Sequence, residues 1–173
     1  MGKLDWDISG PDYYLIKKIE DSWRCVIYGK MLFLWNGRND LRDSQIILER
    51  KHSASRRESA GGMVLRANAS GDTAYRFRMC GDRRCYIEKV VNGVVTTLNY
   101  EETEQPWDEY VKYRFRVDGF QLSVHEWVSG EWQLLMFVDD LTQAITQGYA
   151  GFFGDNDNTS YRMYFDNVEI RER

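Results

Sequence analysis

Hydrophobic and polar residues alternate most regularly over Lys112–Trp127, where the dipeptide Asp118-Gly119 divides two runs of apolar residues at every second position. Successive side chains of a β-strand point to opposite faces, so this period of two predicts strands. Asp-Gly accepts the positive φ angles of a tight turn. The stretch therefore predicts a β-hairpin that buries one face and leaves the other for solvent or a ligand.

Similar patterns predict short strands along the rest of the chain, separated by turn signals such as Asn92-Gly93. Within residues 1–22, Asp5–Ile8 and Tyr13–Lys18 are the candidate strands, and 139–147 is the only stretch that favours a helical turn. The other predicted strands are Arg24–Tyr28, Met31–Trp35, Gln45–Lys51, Gly61–Asn68, Thr73–Cys80, Cys85–Val91, Val94–Leu98, Trp132–Val138, Gly148–Gly154 and Ser160–Arg171. Many short strands with frequent turns predict an all-β fold, an antiparallel two-sheet sandwich or jelly roll.

Composition narrows the class of protein. The 173 residues suit one domain over 1–173, with 1–22 as an edge strand or arm, and 14 glycines against 2 prolines favour tight turns over a linker. The net charge of −4 disfavours a nucleic-acid partner. No stretch approaches the ~20 apolar residues of a membrane span, so no membrane insertion is expected. No signal peptide is recognised, so the localisation stays open. The protein stays inside its cell, leaves it by another route, or has had its signal removed.

The chain contains three cysteines. Cys80 and Cys85 flank the turn at 81–84, so a disulfide across a hairpin is one interpretation, in an oxidising compartment. Two reduced thiols are the other, and the size of the domain favours them because its core needs no covalent staple. Cys25 lies in an apolar run and is predicted to be a small core residue.

Six segments occur in an order and spacing that together resemble a known superfamily. They are G-G-M-V-L-R-A at 61–67, A-Y-R-F-R-M at 74–79, Y-I-E-K-V-V-N-G at 86–93, Y-R-F-R-V-D-G-F-Q-L-S-V at 113–124, G-Y-A-G-F-F at 148–153 and M-Y-F-D-N-V-E-I at 163–170. Over roughly residues 24–171 the chain resembles the concanavalin A-like lectin/glucanase superfamily, in its laminin-G-like and carbohydrate-binding-module branch.

The resemblance implies a jelly roll of two antiparallel sheets, one concave and one convex. Members of the superfamily commonly bind glycans on the concave sheet or at the loop rim, and many carry a structural Ca²⁺. It therefore implies a non-catalytic module that recognises a glycan or glycoconjugate. The alternative is a structural or adhesion protein of a virion or cell surface, which uses the fold for contacts with virion proteins or with copies of itself, because fold does not fix function.

Catalytic motifs are missing from the sequence. The glucanases of this superfamily carry E-x-D-x-x-E on a strand, which aims two carboxylates into one cleft. Glu101–Glu104 lies in a predicted loop and Glu169–Glu172 lacks the central aspartate. The two histidines lie far apart in the sequence, and no G-x-S-x-G motif occurs. We expect a protein that is not an enzyme.

Arginines on the polar faces of predicted strands are candidate ligand-binding residues. Arg66, Arg76 and Arg78 offer planar donor groups to sugar hydroxyls or to a carboxylate. The alternative is that these arginines face solvent and pair across strands with acidic residues such as Glu88.

Four aromatic residues form a second candidate set: Tyr86, Trp107, Trp127 and Tyr161. An aromatic plane packs against the C–H face of a sugar ring, so these side chains suit a glycan platform. The alternative is that the rings close the ends of the sandwich core.

The acidic and amide-rich stretch at 155–158 resembles a Ca²⁺ loop, and Asp155 and Asp157 are its candidate ligands. The resemblance to the superfamily adds Asp166, with Asp5 or Asp7 as partners. The stretch lacks the full calcium-loop pattern, and an ordinary turn explains the same composition.

Overall fold

The computed structural model describes residues 6–9, 13–19, 22–35, 37–142, 145–156 and 160–172. These residues contain fourteen strands and no helix. In chain order the strands are β1 Trp6–Ser9, β2 Tyr13–Ile19, β3 Ser22–Tyr28, β4 Lys30–Trp35, β5 Ser44–His52, β6 Ala60–Ala67, β7 Ala74–Cys80, β8 Arg84–Val91, β9 Val94–Glu102, β10 Val111–Asp118, β11 Gln121–Val128, β12 Glu131–Asp139, β13 Tyr149–Asp155 and β14 Arg162–Glu172.

The strands form two antiparallel seven-stranded sheets that pack face to face. The first sheet has the order β1-β4-β13-β6-β7-β8-β9, and the second has the order β12-β11-β10-β5-β14-β3-β2. The predicted two-sheet jelly-roll sandwich is therefore confirmed. Among the described residues, no helix has the length and hydropathy to cross a membrane.

The hairpin predicted over Lys112–Trp127 is confirmed as β10 and β11. Phe115 pairs with Val124 in its register, and Gly119 has a φ of +58° at the turn. All four apolar residues of β10 at alternate positions are buried, while the arginines between them are only half-buried. The alternation therefore assigns the two faces correctly on this hairpin.

Aromatic side chains fill the space between the sheets. The ring centroids of Phe77 in the first sheet and Phe115 in the second lie 6.2 Å apart. Those of Phe152 and Phe165, again from opposite sheets, lie 5.0 Å apart. Burying a large apolar side chain contributes about 1.5–3 kcal/mol to folding, so this layer is a main source of the cohesion between the sheets.

Two predicted elements differ from the observed ones. The stretch 139–147 contains a turn at 141–142 and no helical turn among its described residues. Strand β9 extends four residues past the predicted end at Leu98, because its backbone pairs with β8 as far as Glu102, which lies opposite Arg84. Backbone hydrogen bonding to a partner strand therefore outweighs the polar composition of the segment.

Polar side chains enter one end of the core. Arg50 is fully buried on β5, where it donates a hydrogen bond to the Tyr113 hydroxyl at 3.2 Å and lies over that ring. His52 is also fully buried, with Nδ1 3.2 Å from the Ser59 hydroxyl. Burial first, and then the charge of Arg50, lowers the pKa of His52 well below its usual 6.5.

Arg66 was predicted on a polar strand face, but its side chain is buried beside a loop of the protein itself. Its guanidinium donates to the carbonyl of Arg42 at 2.8 Å and to that of Ile145 at 2.9 Å, and it lies 3.3 Å from Asp43. The residue is only 5% exposed and has a positive φ of 53°. The structure therefore gives Arg66 a role in holding chain segments together.

All three cysteines are free thiols, and Cys80 and Cys85 are buried. Burial raises the pKa of Cys80 to about 11 and that of Cys85 to about 12. Cys85 belongs to the core between the sheets, where a small apolar side chain fits. The interpretation as reduced thiols agrees with this geometry.

We predict that the free energy of unfolding falls as the pH drops below 6.5, the usual pKa of histidine. The pKa of each histidine is lower in the folded protein, so the unfolded chain takes up protons first and acid favours unfolding. Buried His52 contributes up to about 1.4 kcal/mol per pH unit, and half-exposed His125 contributes less. Urea unfolding at several pH values between about 7 and 5 measures how steeply the free energy of unfolding changes with pH. This pH dependence should be weaker in His52→Gln than in His125→Gln. An unchanged slope in His52→Gln would contradict the assignment.

We predict that Arg66→Met lowers the free energy of unfolding by about 2–3 kcal/mol, because it removes charged donors from buried carbonyl groups. Arg42→Ala is the matched control, since the Arg42 side chain is exposed and only its carbonyl accepts from Arg66. Urea midpoints of both variants measure the difference. A loss in Arg66→Met no larger than that in the control would show that these bonds do not stabilise the fold.

Candidate functional site

The outer face of the first sheet, called here the first face, carries a row of side chains that runs across its strands. Cross-strand pairing aligns Phe153 of β13 with Gly62 of β6, Gly62 with Arg78 of β7, and Arg78 with Tyr86 of β8. Tyr86 in turn pairs with Tyr100 of β9, and their ring centroids lie 5.2 Å apart. The row therefore places a cation between aromatic side chains.

Gly62 leaves the middle of this row without a side chain. A Cβ atom there would lie 1.8 Å from the carbonyl oxygen of Phe77, so only glycine fits. The bare position lets long side chains of β7 extend across β6 toward β13, two strand spacings or about 10 Å away. Arg78 uses this space and reaches Asp155 of β13, with Nε 3.4 Å from Oδ2.

Arg76 occupies the neighbouring row and also reaches across β6. Its guanidinium carbon lies 5.2 Å from the centre of the Phe153 ring. On the other side, its Nη2 donates to Glu88 at 2.8 Å and its Nε to the same oxygen at 3.2 Å. Glu88 is almost fully buried, so this ion pair fixes Arg76 in place.

Arg78 is held by two kinds of neighbour. Asp155 supplies the opposite charge, and the ring of Tyr86 lies under the guanidinium with its centre 5.8 Å from Cζ. Asp155 also lies 3.8 Å from the ammonium group of Lys30, which is 54% exposed. Asp155 therefore links two cations on this face.

A groove with a volume of about 240 Å³ lies beside these residues. Its apolar wall includes Leu32, Val64 and Phe153, and its polar rim is formed by Lys30, Arg76 and Asp155. The loop between β6 and β7 closes one side, where a Cβ on Gly71 would lie 2.3 Å from Leu32. A small apolar cluster of buried side chains lies beneath this shallow groove: Leu34, Val64, Ala67, Ala74 and Phe153.

The charges of the groove are balanced in pairs. Arg76 is paired with Glu88, and Arg78 and Lys30 share Asp155. The surface therefore offers both donors and acceptors with little net charge, next to apolar carbon. Such a surface suits a neutral, hydroxyl-rich ligand with an apolar ring face.

The structure brings three of the seven predicted ligand-binding residues together: Arg76, Arg78 and Tyr86. Trp127 lies on β11 of the second sheet, with its ring centroid 5.1 Å from that of Trp132. Trp107 lies in the loop between β9 and β10, where its carbonyl accepts from the amide of His52 at 2.8 Å. Tyr161 comes just before β14 and is half-buried.

The candidate calcium ligands do not converge in the described part of the chain. Asp155 is engaged by Lys30 and Arg78 on the first sheet, whereas Asp166 lies on β14 of the second sheet and accepts from the Asn167 amide at 2.8 Å. Asp157 and Asp5 lie outside the described residues. Among the described residues, the structure contains no group of three or more Asp, Glu, His or Cys side chains that could hold a metal ion.

Sequence patterns alone missed three residues of this site, Lys30, Gly62 and Phe153, whereas Glu88 is among the predicted cross-strand partners of the arginines and does pair with Arg76. Glu88 and Phe153 are buried on the outer side of the sheet, where a strand pattern predicts solvent exposure. The glycines of G-G-M-V and G-Y-A-G-F-F-G were the available signal, since glycine within a strand marks a close approach. The register that joins these two segments is a long-range feature.

No protein-family model matches the sequence, and no curated protein matches it. Solved structures do match. The carbohydrate-binding module CBM66 from Bacillus subtilis aligns with a TM-score of 0.77 at 12% identity, over 96% of this chain and 95% of that chain. The exoplasmic/lumenal domain of VIP36, in a form bound to Ca²⁺ and Man3GlcNAc, aligns with a TM-score of 0.66 at 9% identity, over 97% of this chain and 84% of that chain.

An enzyme chain is also similar in structure. The xylan β-1,4-xylosidase from Bacillus halodurans C-125 aligns with a TM-score of 0.67 at 12% identity, over 95% of this chain and 35% of that chain. This protein therefore spans about a third of the xylosidase chain. The comparisons give no support to the alternative of a virion or adhesion protein. Together with the two-sheet topology, they show that the chain has the concanavalin A-like jelly-roll fold that its sequence segments predicted.

Proposed function

We propose that the protein is a non-catalytic carbohydrate-binding module that holds a neutral sugar in the groove of the first face. The observation that carries the proposal is the pairing of Arg78 with Asp155 beside an apolar wall that contains Phe153. A sugar hydroxyl both donates and accepts hydrogen bonds, so an arginine and a carboxylate side by side suit it. The carbohydrate-binding module CBM66 and the VIP36 domain bound to Man3GlcNAc have similar structures and support this class of ligand.

The size of the groove favours a short ligand. Its volume of about 240 Å³ lies below the roughly 300–1,000 Å³ of sites for drug-sized molecules. One sugar ring therefore fits the groove, with its C–H face against the apolar wall and its hydroxyls toward Lys30 and Asp155. Tyr86 and Tyr100 continue the same row toward the sheet edge and offer an aromatic surface to a second ring.

The acidic residues in and beside the groove favour binding over hydrolysis. A glycoside hydrolase uses two carboxyl groups, one of which must deliver a proton to the leaving oxygen. Here Glu88 is held by Arg76, and Asp155 lies between Arg78 and Lys30. Neither carboxylate is placed as a free proton donor, so we expect no release of reducing sugar from any polysaccharide that the protein binds.

The proposal predicts that Arg78→Ala weakens binding to a neutral glycan by about 10- to 100-fold. A hydrogen bond to a charged group contributes about 1.5–3 kcal/mol when it is desolvated, which corresponds to that range. A glycan array with the wild-type protein identifies the sugar, and isothermal titration calorimetry then measures the affinities. Lys30→Ala should weaken binding as well, and its exposed side chain makes unfolding an improbable cause.

Arg171→Ala is the matched control, because Arg171 is an exposed arginine paired with a carboxylate, Glu169, on the other sheet. It should bind the sugar as the wild type does. Melting temperatures separate loss of binding from loss of folding. Equal affinities in Arg78→Ala and Arg171→Ala would place the sugar elsewhere, and an array without any bound neutral glycan would refute the function.

A further inference from the structure

The outer face of the second sheet, called here the second face, exposes apolar side chains near one edge. Trp127 on β11 is 40% exposed, and Leu134 and Phe137 on β12 are 61% and 45% exposed. Trp132 of β12 pairs with Trp127, and their rings meet edge to face. Two indole rings on neighbouring strands provide a platform of the kind on which sugar rings pack.

Cations lie directly over this platform. The guanidinium carbon of Arg114 is 4.7 Å from the Trp132 ring centre, and the Lys112 ammonium is 5.7 Å from Trp127 and 5.9 Å from Trp132. Lys112, Arg114 and Arg116 alternate along β10, which spaces them by about 7 Å on one face. Stacking on an indole orients a guanidinium before any ligand arrives.

Arg114 has no carboxylate partner among the described residues, although Glu49 of β5 lies opposite Lys112 in the register. Arg116 is paired with Asp118, but no described carboxylate forms an ion pair with Arg114 or Lys112. The cross-strand neighbours of Arg114 are His125 on one side and Ile47 on the other. Its Nε is buried and has no hydrogen-bond partner in the described part of the chain.

The electrostatics agree with an excess of positive charge. Burial, reinforced by the charge of Arg116, lowers the pKa of Arg114. Burial, followed by the charges of Arg114 and Arg116, lowers the pKa of His125 to about 4, so this imidazole is neutral near pH 7. Burial, the main cause, disfavours a charge of either sign, and only the smaller effects of Arg114 and Arg116 reflect local positive charge.

We propose that the second face is a separate binding site for an acidic polysaccharide, whose sugar rings pack on the exposed part of Trp127 while a uronate carboxylate binds Arg114, which rests on Trp132. The planar guanidinium matches the planar carboxylate and binds it through two parallel hydrogen bonds. Lys112 and Arg116 on either side meet the carboxylates of a repeating chain. This site lies on the opposite side of the sandwich from the groove and does not depend on it.

The charge of the whole protein favours a polyuronate over a nucleic acid. Both ligands carry repeated negative charges and rings that pack on aromatic side chains, and both fit cations beside such side chains. However, proteins that bind nucleic acids usually carry a basic excess, and this chain has a net charge of −4. The long-range field therefore opposes any polyanion, and the affinity must come from the local match between the planar guanidinium and a planar carboxylate.

Affinity electrophoresis of the full chain in gels that contain polygalacturonate tests the proposal. The wild-type protein should be retarded by polygalacturonate, and much less by its methyl-esterified form, which has the same backbone without the charge. Arg114→Gln should reduce the affinity at least tenfold, whereas Arg83→Gln, at an exposed arginine in the turn between β7 and β8, should leave it unchanged. Affinity that is equal in Arg114→Gln and the wild type, or no retardation at all, would overturn the proposal.

A second measurement avoids variants that fail to fold. The indole N–H signals of the wild-type protein are followed by NMR while trigalacturonate is added. Signals of Trp127 and Trp132 should shift, and those of the other tryptophans should stay in place. Shifts confined to other tryptophans would overturn the proposed location. Equal retardation by single-stranded DNA, dextran sulfate and polygalacturonate would show general attraction to polyanions and would overturn the specificity for uronate.

Discussion

The burial of one aromatic layer between the two sheets is the constraint on which the rest of this structure depends. Phe77 and Phe115 meet across the layer, as do Phe152 and Phe165. Each of these residues fixes the direction of its neighbours in the strand, because successive side chains point to opposite sides. A shift of one residue in register would exchange core and surface along a whole strand. The identity of every outward-facing residue therefore follows from this packing.

Both faces inherit their chemistry from this arrangement, but they differ in how charge is balanced. On the first face, buried Glu88 and half-exposed Asp155 neutralise the arginines that cross β6. On the second face, Arg114 lies on Trp132 next to a neutral imidazole and an isoleucine. The same residue type thus serves two kinds of surface, one suited to hydroxyl groups and the other to carboxylates.

Local patterns in the sequence were sufficient to predict the sandwich. Alternation and a turn dipeptide are short-range features, and they located the β10–β11 hairpin and most other strands correctly. Burial of polar residues could not be predicted in this way. Arg50, His52 and Arg66 occupy strand positions that a pattern assigns to solvent or leaves undefined, and only their partners from distant segments explain their burial.

The candidate site shows the same division between local and long-range information. Arg76, Arg78 and Tyr86 could be predicted together because they belong to two consecutive strands of one hairpin. Phe153 and Asp155 enter from β13, some 75 residues further along the chain, and their approach depends on the glycine of β6 that separates them from β7. Trp107, Trp127 and Tyr161 were predicted as one aromatic set, but the structure does not bring them together. They were grouped by residue type, and residue type carries no information about which sheet or loop holds each ring.

The tripeptide Arg-Phe-Arg occurs both at 76–78 and at 114–116, and it shows where specificity arises. In both copies the phenylalanine enters the shared core and the arginines face outward. On β7 the cross-strand partners are a glutamate and a tyrosine, whereas on β10 they are a histidine and a serine. The two identical segments therefore have different charge environments, because the strands that pair with them differ in sequence. Because ligand preference follows from that environment, exchanging the partners should exchange the preference: a carboxylate placed at position 125 would neutralise Arg114 and make the second face resemble the first.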